Sequence, residues 1–185
     1  MVFTPVFHFQ NGLFLRKNDM EKCQELILDD VIRIDIYRSE DIRFSVPFNA
    51  TAVTHATCTI APGTSPTLVM RLQDDSTSDV VMEPAPKIQV TEKRENSGLV
   101  RTHTLEAVIL EGFGTVQSAI DAVAEDDTVA IMTTYEGVHY AIIPFPNTGT
   151  VSLTDSRQQA HTQTVKYTAQ SFSGLVEVDI SQDNS

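Results

Sequence analysis

Apolar and polar residues alternate along most of this chain with the period of a strand. In VIRIDIYR, Val31, Arg33, Asp35 and Tyr37 share one face while Ile32, Ile34 and Ile36 share the other, which predicts a half-buried strand. DIRFSVPF follows with Ile42, Phe44 and Val46 on one face, and Pro47 marks a strand end or edge. A Thr-rich strand is expected within NATAVTHATCTI, before the turn signal APGTSP at 61–66. TLVMRLQ reads as a short strand and QDDSTSD at 73–79 as a polar turn.

A strand at 87–92 and the long run LVRTHTLEAVILEG flank the charged loop KRENSG, so a hairpin projecting into solvent is expected. In the long run Leu105, Ala107 and Ile109 alternate with Thr104, Glu106 and Val108. One helix is predicted over 115–124, where Val116, Ala119, Ile120 and Val123 form a single apolar stripe. At that length it needs a sheet to pack on. TVAIMTTYEGVHYAIIPF reads as a second hairpin, with Gly137 able to take the positive φ of its turn. GTVSLTD is a further strand, and SGLVEVDI closes the series.

The strand HTQTVKYTAQSF, residues 161–172, has the most uniform polar face. Thr162, Thr164, Lys166, Thr168 and Gln170 form one row, and Val165, Tyr167 and Ala169 lie on the other. A row of hydroxyl and amide groups without convergent acids or histidines predicts contact with water or a hydrogen-bonded neighbour, not catalysis. It is a candidate channel wall or interface.

The expected fold is therefore mainly β, an antiparallel sandwich or barrel with one flanking helix. No repeat or linker divides it. We expect an N-terminal arm at 1–22, one β domain at 23–180 and a polar tail at 181–185. With 185 residues, 41% hydrophobic and 21% charged, the chain can bury a substantial core. No apolar run is long enough to span a bilayer as a helix. The N-terminal stretch lacks a basic lead and a small-residue cleavage site, so synthesis in the cytoplasm is expected. Cys23 and Cys58 have neither disulfide-framework nor metal spacing and read as reduced thiols.

Charge changes the functional picture. The net charge is −12, of which residues 103–185 carry −9 with only Arg157 and Lys166 as cations. Such a chain repels a phosphate backbone, which argues against sequence-specific binding of nucleic acid. An acidic surface serves solubility, and it also suits a protein that DNA must pass without sticking.

Candidate chemistry is sparse. His8, His55, His103, His139 and His161 stand apart, no Ser lies in a G-x-S-x-G elbow, and neither cysteine has a base beside it. Asp74, Asp75 and Asp79 offer oxygen ligands but lack the glycine and bidentate glutamate of an EF-hand loop, so a solvated turn is the plainer reading. The acid pairs Asp29/Asp30 and Glu40/Asp41 read as bulge or turn residues. GFGTVQ precedes the helix, yet Gln117 stands where the dinucleotide fingerprint needs its third glycine. Asn49-Ala50-Thr51 matches a glycosylation acceptor only by chance without a secretory signal. No metal, cofactor or catalytic residue is expected.

The N-terminal segment crowds Phe3, Phe7, Phe9, Leu13, Phe14 and Leu15 into a stretch without clear period. These residues pack either on the chain's own sheet or on a neighbouring subunit. With Arg94, Glu95 and Asn96 at the hairpin tip, they are the candidate inter-subunit contacts. If they form an assembly arm, removing residues 1–15 leaves a folded domain that assembles poorly.

The order of elements over 25–180 resembles the tail-tube type of bacteriophage virion protein, carried by LVRTHTLEAVILEG, TVQSAIDAVA and TVSLTDSRQQAHTQTVKYTAQSFSGLVEV. That resemblance implies a non-enzymatic structural subunit of a tail tube or head–tail neck. It implies assembly in the host cytoplasm into a ring, hexameric in that family, with copies of itself and other virion proteins as partners and no membrane. The subunits pair sheets side by side around a polar, often acidic wall past which DNA moves. The long N-terminal segment departs from a minimal tube subunit, leaving connector, terminator and tube roles open. The alternative is a β-sandwich binding module of adhesin type, using loops 61–66, 73–79 and 154–160 to hold carbohydrate or protein. The absence of Trp and the presence of only four Tyr count against a sugar platform.

Overall fold

The computed structural model describes residues 22–46, 53–72, 80–95, 98–109, 117–118, 120–124, 126–144, 149–156 and 162–182. They form β1 (Lys22–Ile27), β2 (Val31–Arg38), β3 (Ile42–Ser45), β4 (His55–Ile60), β5 (Leu68–Arg71), β6 (Val80–Val81) and β7 (Lys87–Glu95). Then come β8 (Gly98–Ile109), β9 (Thr128–Thr134), β10 (His139–Ala141), β11 (Thr150–Ser156), β12 (Thr162–Ser171) and β13 (Val176–Gln182). A 3-10 turn, Ser39–Asp41, joins β2 to β3. β13 runs through Gln182, into what the composition marks as tail.

Two sheets result, in a sandwich-like arrangement that does not close into a barrel. The smaller has the order β1-β7-β8-β12-β11 and is antiparallel throughout. The larger has the order β3-β4-β13-β10-β9-β2-β5-β6. It is mixed, because β4 pairs with β13 and β5 with β6 in parallel. The mainly β, sandwich-like expectation holds, and these two pairs are its departures from antiparallel order. Parallel neighbours need long connections, and the β4–β13 pair joins residues far apart in sequence.

The main core lies between the sheets. Ile88 from β7, Leu105, Ala107 and Ile109 from β8, and Val165, Tyr167 and Ala169 from β12 meet Ile34, Ile36, Leu68, Met70, Ala130 and Met132 of the larger sheet. Two isolated bridges, Met82–Ile109 and Thr128–Gly149, stitch the sheets together. Residues 117–118 and 120–121 are helical, with Ile120 and Val123 buried in this core as the apolar stripe requires. Val116 and Ala119 lie outside the described residues.

A second core occupies the opposite face of the larger sheet, built from Tyr37, Ile42, Ala56, Cys58, Ile60, Val129, Ile131, Ala141, Val176 and Val178. Tyr37 on β2 and Cys58 on β4 belong to it together, although β13, β10 and β9 lie between their strands. Four strand spacings in a flat sheet would separate them by about 19 Å. Ala141, Val129, Ile131, Val176 and Val178 on the intervening strands fill the span between them. β2 and β9 are consequently buried on both faces, not half-buried as alternation alone suggests. A bulge between Val31 and Arg33 also turns Val31 into the main core with Ile34, away from the Arg33, Asp35 and Tyr37 face on which strict alternation places it.

Candidate interaction surfaces

The outer face of the smaller sheet realises the polar row of β12. Thr164, Lys166, Thr168 and Gln170 are half-exposed, while Gln163, Val165, Tyr167, Ala169 and Ser171 are buried on the other side. Thr162 begins the strand opposite Ser156. Register extends the face across neighbouring strands. Thr168 sits between Thr150 and Thr104, and Lys166 between Ser152 and Glu106. The Lys166 ammonium lies 3.1 Å from the Glu106 carboxylate. Lys87 and Lys93 share this face through their register with Glu106 and Val100. The charged positions that register places on this face are Lys87, Lys93 and Lys166 with Glu106 and, on β1, Glu25. It is wettable and of mixed charge.

The sheet ends, among the described residues, in β1 and β11. The β7–β8 hairpin closes more tightly than composition suggests, since pairing persists to Glu95 opposite Gly98. Gly98 has a φ of +129°, a conformation that disfavours any side chain. Arg94 is exposed near the tip, opposite Leu99, itself 39% exposed. Asn96, the segment with Phe3, Phe7, Phe9, Leu13, Phe14 and Leu15, and Asp74, Asp75 and Asp79 lie outside the described residues.

A second surface had no signal in the sequence. The parallel pairing of β4 with β13 sets His55 opposite Glu177. Its Nε2 donates to Asp179 Oδ2 at 2.9 Å, and its Nδ1 lies 3.8 Å from Glu177 Oε1. Ser45 and Thr57 line a shallow depression of about 240 Å³ beside His55. His55 thus shares this depression with Ser45 and Thr57 while its imidazole is hydrogen-bonded to the Asp179 carboxylate. Next to it, the Tyr140 phenol is held above its ordinary range by burial and then by Glu177, Asp30 and Glu136. Tyr135, at the tip of the β9–β10 hairpin, is 71% exposed. Gly137 in that turn has a φ of +78°, as its position required.

Cys58 is fully buried, and burial pushes its thiol up to about 11. Cys23 lies on β1 opposite Thr91. Gln117 donates to Asp121 Oδ1 at 2.6 Å, one helical turn away. His139 shares a 3.0 Å hydrogen bond with Thr133. Among the described residues no cluster of three or more His, Cys, Asp or Glu could hold a metal ion, and no helix is long and apolar enough to cross a membrane.

This chain matches no family model, no curated protein and no solved structure, so its function has to be read from its own geometry.

Proposed function

We propose that this chain is a non-catalytic structural subunit that assembles edge to edge with copies of itself, as in the tail tube or head–tail neck of a bacteriophage. The observation that carries this reading is the smaller sheet, which is antiparallel and ends among the described residues in two full-length strands, β1 and β11. Edge strands present unpaired amides and carbonyls, and proteins that leave them long have to cover or pair them. Pairing β11 of one copy with β1 of the next is a head-to-tail contact, which closes into rings or runs on as filaments. The Thr and Gln face beside these edges, wettable and of mixed charge, suits a hydrated contact between subunits.

Light scattering across a concentration series and electron microscopy of the purified protein test the reading. Rings, tubes or a defined oligomer are expected. A strictly monomeric particle at every concentration would refute it.

The second reading, a protein-binding β-sandwich module, draws on one specific feature. Tyr135 stands exposed at a hairpin tip, where its amide donates to the Asp30 carbonyl and Glu136 follows it in the turn. That combination suits a partner with a basic surface, because aromatic side chains anchor contacts and the acids add charge complementarity. A monomer that loses partner binding on Tyr135→Ala would favour this alternative.

A further inference from the structure

The chain crosses from the smaller sheet to the larger between β12 and β13, at residues 172–175, and β8 grips this crossover from the side. Arg101 Nη1 donates to the Phe172 carbonyl at 2.7 Å, and His103 Nε2 donates to the Ser173 carbonyl at 3.1 Å. Arg101 and His103 are two residues apart on one strand, so they lie on the same face. The crossover braces itself as well, since the Ser173 amide donates to Ser171 Oγ at 3.1 Å. Beyond it, Leu175 packs on the main core and Val176 enters β13 opposite Ala141.

His103 is fully buried, and its Nδ1 has no hydrogen-bond partner among the described residues. A carbonyl can only accept, so the proton sits on Nε2 and Nδ1 is a bare lone pair. Protonation would place a second N–H and a full charge in this buried site, where Nδ1 has no partner among the described residues. Among the described residues the charged groups around it are Arg101 on its own strand and Glu92 on β7. Arg101 and Glu92 are already paired at 2.8 Å. β12 presents Ala169 in register, and the crossover contributes serine hydroxyls and carbonyls.

We propose that Arg101 and His103 form a proton-sensitive latch on the sheet-to-sheet crossover, closed while His103 is neutral and loosened when it takes up a proton. Loosening frees residues 172–175 first and then the Val176 end of β13, giving the protein a local, acid-driven opening between its two sheets. Burial holds His103 below its ordinary range, more strongly than the Ser173 carbonyl raises it, which keeps the latch closed at neutral pH. The latch does not depend on the assembly reading.

Hydrogen exchange followed by mass spectrometry, from about pH 7.5 to about pH 5, tests this across the range where histidine titrates. After correction for intrinsic rates, amides at 172–178 are expected to exchange faster on acidification, by up to about tenfold per pH unit, the limit for one linked proton. Amides of β9 should hold their protection. His103→Gln keeps a donor for the Ser173 carbonyl but cannot titrate, so it should abolish the acceleration while the nearby His55–Asp179 pair remains. Equal acceleration in H103Q, uniform acceleration across both sheets, or none in the wild type would overturn the proposal. If H103Q does not fold, the wild-type profile decides: acceleration confined to 172–178 along a one-proton curve supports the latch, and its absence refutes it.

Discussion

The ring of Tyr167 lies against the Cα of Gly149, so close that a side chain at position 149 would overlap the phenol. The contact sits where the sheets are stitched. Thr128 and Gly149 exchange backbone hydrogen bonds of 3.0 and 3.1 Å, and Thr128 Oγ1 donates to the Gly149 carbonyl at 2.9 Å. Tyr167 Oη completes the junction by donating to the Thr128 carbonyl at 3.2 Å. Gly149→Ala should therefore destabilise the fold by about 1–3 kcal/mol through overpacking. Gly174→Ala, where an added methyl meets open space, should change stability by less than about 0.5 kcal/mol. Urea denaturation of the two variants makes the comparison.

Tyr167→Phe removes one buried hydrogen bond without changing the packing of the ring. The expected loss is about 1 kcal/mol, and the Thr128 carbonyl keeps its bond from the Gly149 amide, which limits the penalty. A loss close to that of G149A would mean that the hydroxyl, and not the close approach of ring and backbone, holds the junction.

Alkaline stability depends on the buried phenols. Burial, then Asp35, pushes Tyr37 from 10.0 up to about 12, and burial raises Tyr167 further. The folded state thus favours the protonated form of both. Their contribution is complete below pH 10.0 and is lost as pH rises toward about 12. Thermal midpoints should show this decline, and Tyr37→Phe should make it shallower. An unchanged decline in Y37F would assign the alkaline transition to other groups.

Cys58 should resist thiol reagents in the folded protein, since only the thiolate reacts and burial both shields it and raises it to about 11. In a Cys23→Ser background at neutral pH, labelling should appear only with denaturant. Labelling at the rate of a free thiol would show that the second core opens readily.

Two ion pairs should differ in worth because their burial differs. Arg33 Nε lies 2.7 Å from both Asp35 oxygens, with Asp35 10% and Arg33 30% exposed. Asp35→Ala should cost about 2 kcal/mol, below the full penalty of a broken buried pair because Arg33 can turn toward water. Glu106→Ala breaks the pair with Lys166, whose partners are 41% and 43% exposed, and should cost no more than about 0.5 kcal/mol. Denaturation of the two variants side by side measures the gap.

Local pattern determined a good deal of this protein by itself. Alternation in residues 162–171 and 98–109 set which side chains of β12 and β8 face inward, because a strand with one wet face must bury every second residue. The Gly137 turn, the Ile120–Val123 stripe and the outward Thr row were legible for the same reason: each depends on neighbours within a few residues. Tertiary structure decided what alternation cannot encode. IRIDIYR looks half-buried, yet Asp35 and Tyr37 are buried as well, Tyr37 in the second core, and the bulge at Val31 shifts one residue to the other face. The meeting of His55 with Asp179, and the hold of Arg101 and His103 on the crossover, join residues 124, 71 and 70 positions apart. Strand order is chosen by the apolar area the whole chain can bury together, a sum over distant residues that no short window contains.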